Sequence, residues 1–285
     1  MIVGICGTGT MGRGIAVASL LAGHTVVMFD IRSEAAQSAQ VAVAAELNKA
    51  VAKKKLDAEA AQQAIDNCST TDAVAGLSQC DIVIEAIAED PVAKRSLFEA
   101  VEAVIAPTAI LASNTSSIAI TALAAHLAHP RRFVGLHFFN PAHIMKLVEV
   151  IKGRSTADDV VHQAFAFATS LGKTPVIAAD VPGFIVNRVA RNFYNEPQRI
   201  VTEQCATIEQ DDGLMSSLGF KMGPFQLMDL IGVDVNLDVT TSQWSQFYNE
   251  PRFTPSLLQR QVVDAGYHGR KSGRGFYDYS SDTTT

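Results

Sequence analysis

The feature that most constrains this chain is its beginning, "MIVGICGTGTMGRGIA". A short apolar run, 2–6, leads straight into Gly7, Gly9 and Gly12 in a G-x-G-x-x-G spacing, and a helical pattern opens on the last glycine. The bare spacing is a weak signal. Its placement after a strand, ahead of a helix and at the head of a strand–helix–strand unit is the context in which it binds a dinucleotide. The first glycine permits the tight turn, the second lets the backbone approach a pyrophosphate, and the third allows close helix–strand packing. The helix N-terminus favours the negative charge. The competing reading is a glycine-rich turn with no ligand.

The next strand, "TVVMFD", ends on Asp30. A carboxylate there accepts hydrogen bonds from an adenosine ribose and favours NAD. Arg32 lies close enough in sequence to accept a 2′-phosphate instead. Thr10 and Met11 sit inside the motif and belong to the same cofactor set.

Short Val/Ile runs then alternate with helical stretches, with strands expected at 2–6, 25–30, 81–87, 109–113, 132–138, 146–151 and 174–178. That alternation predicts an α/β fold, a doubly wound and mostly parallel sheet of Rossmann type. The insert at about 33–66 reads as a helical hairpin projecting from the sheet, with "AKKKL" (52–56) at its tip. Pro182 and Gly183 break the pattern. After them helices are expected near 184–205, 207–218, 224–247 and 255–265, without strands. We therefore expect two domains, residues 1–182 and an all-α domain over 183–285. Pro197 would kink the first helix of the second domain, because proline removes a backbone donor.

With 285 residues, 48% hydrophobic and 18% charged, the chain can bury a core for each domain. A net charge of −6 argues against nucleic acid as a partner. Four scattered cysteines without a C-x-x-C pair predict neither a disulfide framework nor a metal site, and fit a reducing, cytoplasmic setting. No apolar run is long enough for a membrane span. The first residues already read as a strand, leaving no room for a leader, and the tail "SSDTTT" is expected to fray.

The ends of parallel strands face the ligand crevice. "ILASNTSS" brings Asn114, Ser116 and Ser117 there, "GLHFFN" brings His137 and Asn140, and "EAIAED" carries Glu89. Each can be read as an ordinary loop residue, and Ser116 or Ser117 would cap the helix that follows. Together, beside a dinucleotide, they look like a dehydrogenase site. A secondary alcohol losing hydride needs a base for its proton, and histidine titrates in the right range. Glu149, an acid in the middle of an apolar strand, would hold the imidazole and stabilise its protonated form.

The chain resembles the 3-hydroxyacyl-CoA dehydrogenase family, and within it the bacterial 3-hydroxybutyryl-CoA dehydrogenases. The likeness runs from "GICGTGTMGRGIA" through "ASNTSS", "GLHFFNPAHIMKLVEV" and "PGFIVNR" to "MGPFQLMDLIGVD" and "GRKSGRGFYDY". It implies His137 as catalytic base paired with Glu149, and Ser116 and Asn187 holding the substrate's oxygen and acyl group. It implies Glu89, Lys94 and Lys271 near the cofactor, Lys54 on the hairpin as a contact to coenzyme A, and a crevice between the domains as the site. The α-domain would form a homodimer. The implied reaction is NAD-dependent oxidation of (S)-3-hydroxyacyl-CoA in fatty acid and acyl-CoA metabolism. The second domain also looks similar to dehydrogenases acting on 3-hydroxyadipyl-CoA, for whose distal carboxylate Lys221 or Arg191 could supply a cation. An NADPH-preferring acetoacetyl-CoA reductase, a crystallin-like dinucleotide-binding relative and a dehydrogenase of free hydroxy acids are the competing readings.

Overall fold

The computed structural model describes residues 1–280. All but the first residue of the polar tail lies outside them. The chain forms two compact units, one covering Met1–Phe184 and the other beginning at Ile185.

The first unit carries eight strands: β1 Ile2–Cys6, β2 Thr25–Phe29, β3 Cys68–Thr71, β4 Ile82–Glu85, β5 Ile110–Ser113, β6 Phe133–Phe138, β7 Leu147–Lys152 and β8 Thr174–Ala179. They form one sheet in the order β3-β2-β1-β4-β5-β6-β7-β8, reversing direction of travel at β1, and every pair is parallel except β6 with β7. Six helices accompany it: α1 Thr10–Leu21, α2 Ser33–Ala52, α3 Ala58–Asp66, α4 Pro91–Glu102, α5 Ile120–Ala124 and α6 Asp158–Ser170. The apolar residues of strands and helices divide between two clusters, one with Ile5 and Met28 of the strands and Ile15 and Phe167 of the helices, the other with Phe29, Leu111 and Phe133 of the strands and Phe98 of α4. Side chains that alternate in direction along a strand feed the two faces of a covered sheet in this way.

The mostly parallel sheet agrees with the sequence reading, and the insert is a pair of helices, α2 and α3, which Ala39, Val43, Leu47 and Ala64 pack into the first cluster. Strand β3, "CSTT", escapes that reading, because four residues of mixed polarity at a sheet edge carry no apolar periodicity. The expected serine cap on α5 is also corrected. No residue at its N-cap position caps it with a side chain; instead Asp180, just past β8, accepts the Ile120 and Thr121 amides at 2.8 and 2.7 Å. A carboxylate takes two amides at once, and at a helix N-terminus its charge is favoured.

The second unit holds α7 Val186–Thr202, α8 Ile208–Ser217, α9 Pro224–Ile231, α10 Val233–Gln246 and α11 Leu257–Asp264. Helix α7 runs on through the buried Pro197. The helix expected over 224–247 is two, divided at Gly232, whose φ of +109° no helix can contain. Tyr194, Phe225 and Met228 centre its core.

Candidate active site

The glycine motif folds into a cradle. Gly7 has φ +98°, and a Cβ on Gly12 would fall 1.9 Å from the Gly7 carbonyl oxygen, so α1 can start only where it does. A Cβ on Gly9 would meet nothing within 4 Å. The backbone at Gly9 therefore faces open space, beside a helix end that no side chain caps and whose first turn carries no acid. A pyrophosphate needs that approach. At the end of β2, Asp30 accepts the Thr8 hydroxyl at 2.6 Å and the Thr8 and Arg32 amides at 3.3 and 3.1 Å. Burial pushes its carboxyl up, but these bonds and the Arg32 charge outweigh that and hold it below the usual range. Gly7, Gly9, Asp30, Arg32, Ile87 and Leu97 line one cleft of about 640 Å³. The residues present fit the adenosine and pyrophosphate of a dinucleotide.

At the end of β4 stands Glu85, fully buried. Its carboxylate accepts the Ser113 hydroxyl at 2.6 Å and the Ile87 amide at 2.7 Å, and it meets the Lys94 ammonium at 2.5 Å. Burial raises its pKa, against the pull of Lys94. Lys94, 1% exposed, reaches Glu89 on its other side at 3.0 Å. Glu89 in turn accepts the Thr115 hydroxyl, the Ser116 and Ser117 amides and the Ser117 hydroxyl. Burial raises its carboxyl too, but Lys94 and the Thr115 and Ser116 bonds win and lower it. A chain of charge thus runs from the floor of the sheet to the turn that carries Ser116. Sequence reading found Glu89 and Lys94 but missed Glu85 and Ser113. A lone acid in "IVIEAIA" was the available signal.

Beside this lies the pair the strands were expected to make. In the antiparallel register of β6 and β7, His137 stands opposite Glu149. The ring Nδ1 and the Glu149 Oε2 are 2.7 Å apart, with His137 at 6% and Glu149 at 1% exposure. Phe139 and Phe184 lean on the imidazole at 4.4 and 5.8 Å between centroids. With Nδ1 engaged, the tautomer is fixed and Nε2 is the atom that can take a proton. Asn114 ties the end of β5 to β6 by accepting the Phe138 amide at 2.8 Å.

The remaining expected residues are dispersed. Thr10 and Asn140 line a smaller cleft of about 340 Å³ between α1, α2 and the cis Asn140–Pro141 bond. Met11 packs against the core. Lys54 is exposed at the hairpin tip. Asn187 and Lys271 belong to the second unit, where the Lys271 ammonium is held by Asp234 at 2.6 Å. Among the described residues no cluster of His, Cys, Asp and Glu could hold a metal ion.

A model of the 3-hydroxyacyl-CoA dehydrogenase NAD-binding domain matches residues 2–181, and a model of the C-terminal domain of the same enzymes matches 183–279. The chain belongs to the 3-hydroxyacyl-CoA dehydrogenase family. It is an oxidoreductase of that family and its cofactor is NAD. It is 45% identical to the 3-hydroxyadipyl-CoA dehydrogenase of Escherichia coli K12 over 98% of its own length, and spans 59% of that longer protein. It is 39% identical to a probable 3-hydroxybutyryl-CoA dehydrogenase of Bacillus subtilis, covering 98% of both chains. Among solved structures, a 3-hydroxybutyryl-CoA dehydrogenase from Escherichia coli K12 superposes with a TM-score of 0.97 at 45% identity, over 98% of this chain and 60% of that one. The (S)-3-hydroxybutyryl-CoA dehydrogenase of Ralstonia eutropha gives 0.94 at 39%, over 98% of each.

Proposed function

We propose that this chain oxidises (S)-3-hydroxyacyl-CoA to 3-oxoacyl-CoA, reversibly, with His137 as the base. The observation that carries the reading is the buried His137–Glu149 contact of 2.7 Å. Bound NAD supplies the acceptor for the hydride leaving the carbinol carbon. His137 Nε2 takes the hydroxyl proton, and Glu149 stabilises the imidazolium that results. In the reverse direction the same nitrogen returns the proton. Ser116 and Asn187 hold the substrate's oxygen and acyl group, as the resemblance implies. Lys94, sealed between two carboxylates, serves through Glu89 by bracing the turn that carries Ser116. Lys54 contacts coenzyme A, and Lys271 the cofactor.

The relatives are named for two substrates, 3-hydroxybutyryl-CoA and 3-hydroxyadipyl-CoA, and both acyl groups fit this chemistry. For the cofactor, Asp30 favours a ribose bearing a free hydroxyl. Arg32 lies 3.7 Å from that same carboxylate and is partly neutralised by it, which weighs against a 2′-phosphate. A crystallin-like role would need no proton acceptor buried against a carboxylate. We further propose a cytoplasmic homodimer joined through the second unit, whose exposed Leu214, Leu218, Phe220, Leu230 and Ile231 supply apolar surface for it.

The test is the initial rate with acetoacetyl-CoA and NADH, repeated with NADPH and with His137→Gln. Loss of the base should lower the NADH rate by about 10²–10⁴-fold. An unchanged rate in the variant, or NAD binding without turnover by the wild type on any 3-oxoacyl-CoA, would overturn the reading.

A further inference from the structure

Arg191 lies on α7 and is 3% exposed. Its Nη1 donates to the Asn236 carbonyl at 3.1 Å and the Thr240 hydroxyl at 2.6 Å, both on α10, and its Nε to the Asn187 carbonyl at 3.3 Å. The guanidinium carbon sits 4.9 Å from the Tyr194 ring centroid. All of these partners are neutral. Among the described residues no carboxylate oxygen lies within 4.0 Å of it, and Nη2 has no acceptor. Burial pushes the guanidinium down to about 10, against an opposing pull from Tyr194. Of the three other buried cations, Lys94 is paired with Glu85 and Glu89 and Arg132 with Glu102, while Lys173 rests, like Arg191, on neutral oxygens, the Ala142 and Met145 carbonyls. A charge buried without a counter-ion is costly, and a ligand that brings the opposite charge would offset that cost.

The position of Arg191 says what that would be. It follows Asn187 by four residues, so the two share one face of α7. Asn187 is the residue that the activity proposed above puts at the acyl group. One helical turn is about 5.4 Å. In a 3-hydroxyadipyl group the distal carboxylate lies three bonds beyond the carbinol carbon, roughly 4 Å at about 1.5 Å per bond. A planar guanidinium is suited to a carboxylate. Lys221, the other cation considered for this role, is exposed to solvent.

We propose that Arg191 is the receptor for a terminal carboxylate on the acyl chain, making the enzyme selective for ω-carboxylated 3-hydroxyacyl-CoA. This rests on the activity stated above and adds a specificity residue to it.

The experiment compares kcat/KM for (S)-3-hydroxyadipyl-CoA and (S)-3-hydroxyhexanoyl-CoA, equal in length and differing in the distal carboxylate, in wild type, Arg191→Gln and Arg191→Lys. The wild type should favour the adipyl substrate by roughly 10- to 100-fold, the range of a hydrogen bond to a charged group. Arg191→Gln should abolish that ratio and leave the hexanoyl rate within about threefold, and Arg191→Lys should restore part of it. Because Arg191→Gln can fail to fold, competitive inhibition of the wild type by adipyl-CoA and hexanoyl-CoA is measured beside it, with adipyl-CoA expected to bind at least tenfold tighter. Equal inhibition, no preference in the wild type, or an equal loss on both substrates in the variants would show Arg191 to be a staple between α7 and α10 and overturn the proposal. Turnover of hexanoyl but not adipyl substrate would overturn it too, while leaving the activity intact; turnover of neither would overturn both.

Discussion

At the scale of single residues, the site is a set of carboxylates that each have something to hold. Asp30 and Glu89 both have pKa values lowered in the fold, in each case because bonds and a nearby cation outweigh burial. The sign follows. A carboxyl whose folded pKa lies below its unfolded value, about 3.9 for Asp and 4.3 for Glu, contributes stability that is whole above that pH and lost as the pH falls through the folded value. Urea midpoints measured from pH 7 down to pH 3 should therefore fall less steeply below about pH 4 for Asp30→Asn than for wild type; parallel curves would count against it. Residues that contrast with their neighbours were legible in the sequence. His137 and Glu149 stand out in apolar strands, and Asp30 closes one. Glu85 was harder to see because its partners are Lys94 on a helix and Ser113 on another strand, brought together only by the fold.

At the scale of elements, β1 and β2 could be read almost to the residue and α1 could be placed between them, since glycine geometry and apolar runs are local. Strand β3 and the break at Gly232 could not, the one for want of periodicity, the other because a glycine inside a helical pattern does not announce its φ. The cap on α5 was misread for a similar reason. Local serines are the usual cap, and the one in place comes from about sixty residues downstream. Replacing Asp180 by Ala should cost about 1 kcal/mol and lower the melting temperature by roughly 2–4 °C. Calorimetry of the variant checks it, and an unchanged midpoint would mean that α5 is held by packing alone.

At the scale of the whole molecule, the apolar residues left exposed on the second unit set the next expectation. Sedimentation should find twice the chain mass, and Leu218→Glu, at a side chain 67% exposed, should shift the balance toward the monomer without unfolding the protein; a wild-type monomer at micromolar concentration would refute the homodimer. The sheet itself carries a quieter consequence. Its one antiparallel seam sets His137 against Glu149. Successive side chains on a strand point to opposite faces, so a slip of one residue along that seam would turn the acid away from the imidazole. Such a molecule would keep its secondary structure and its nucleotide cradle and still be inert. Specific activity per mole of NAD-binding protein is thus a gauge of folding fidelity, sensitive to a mispairing that circular dichroism and cofactor titration would both pass as native.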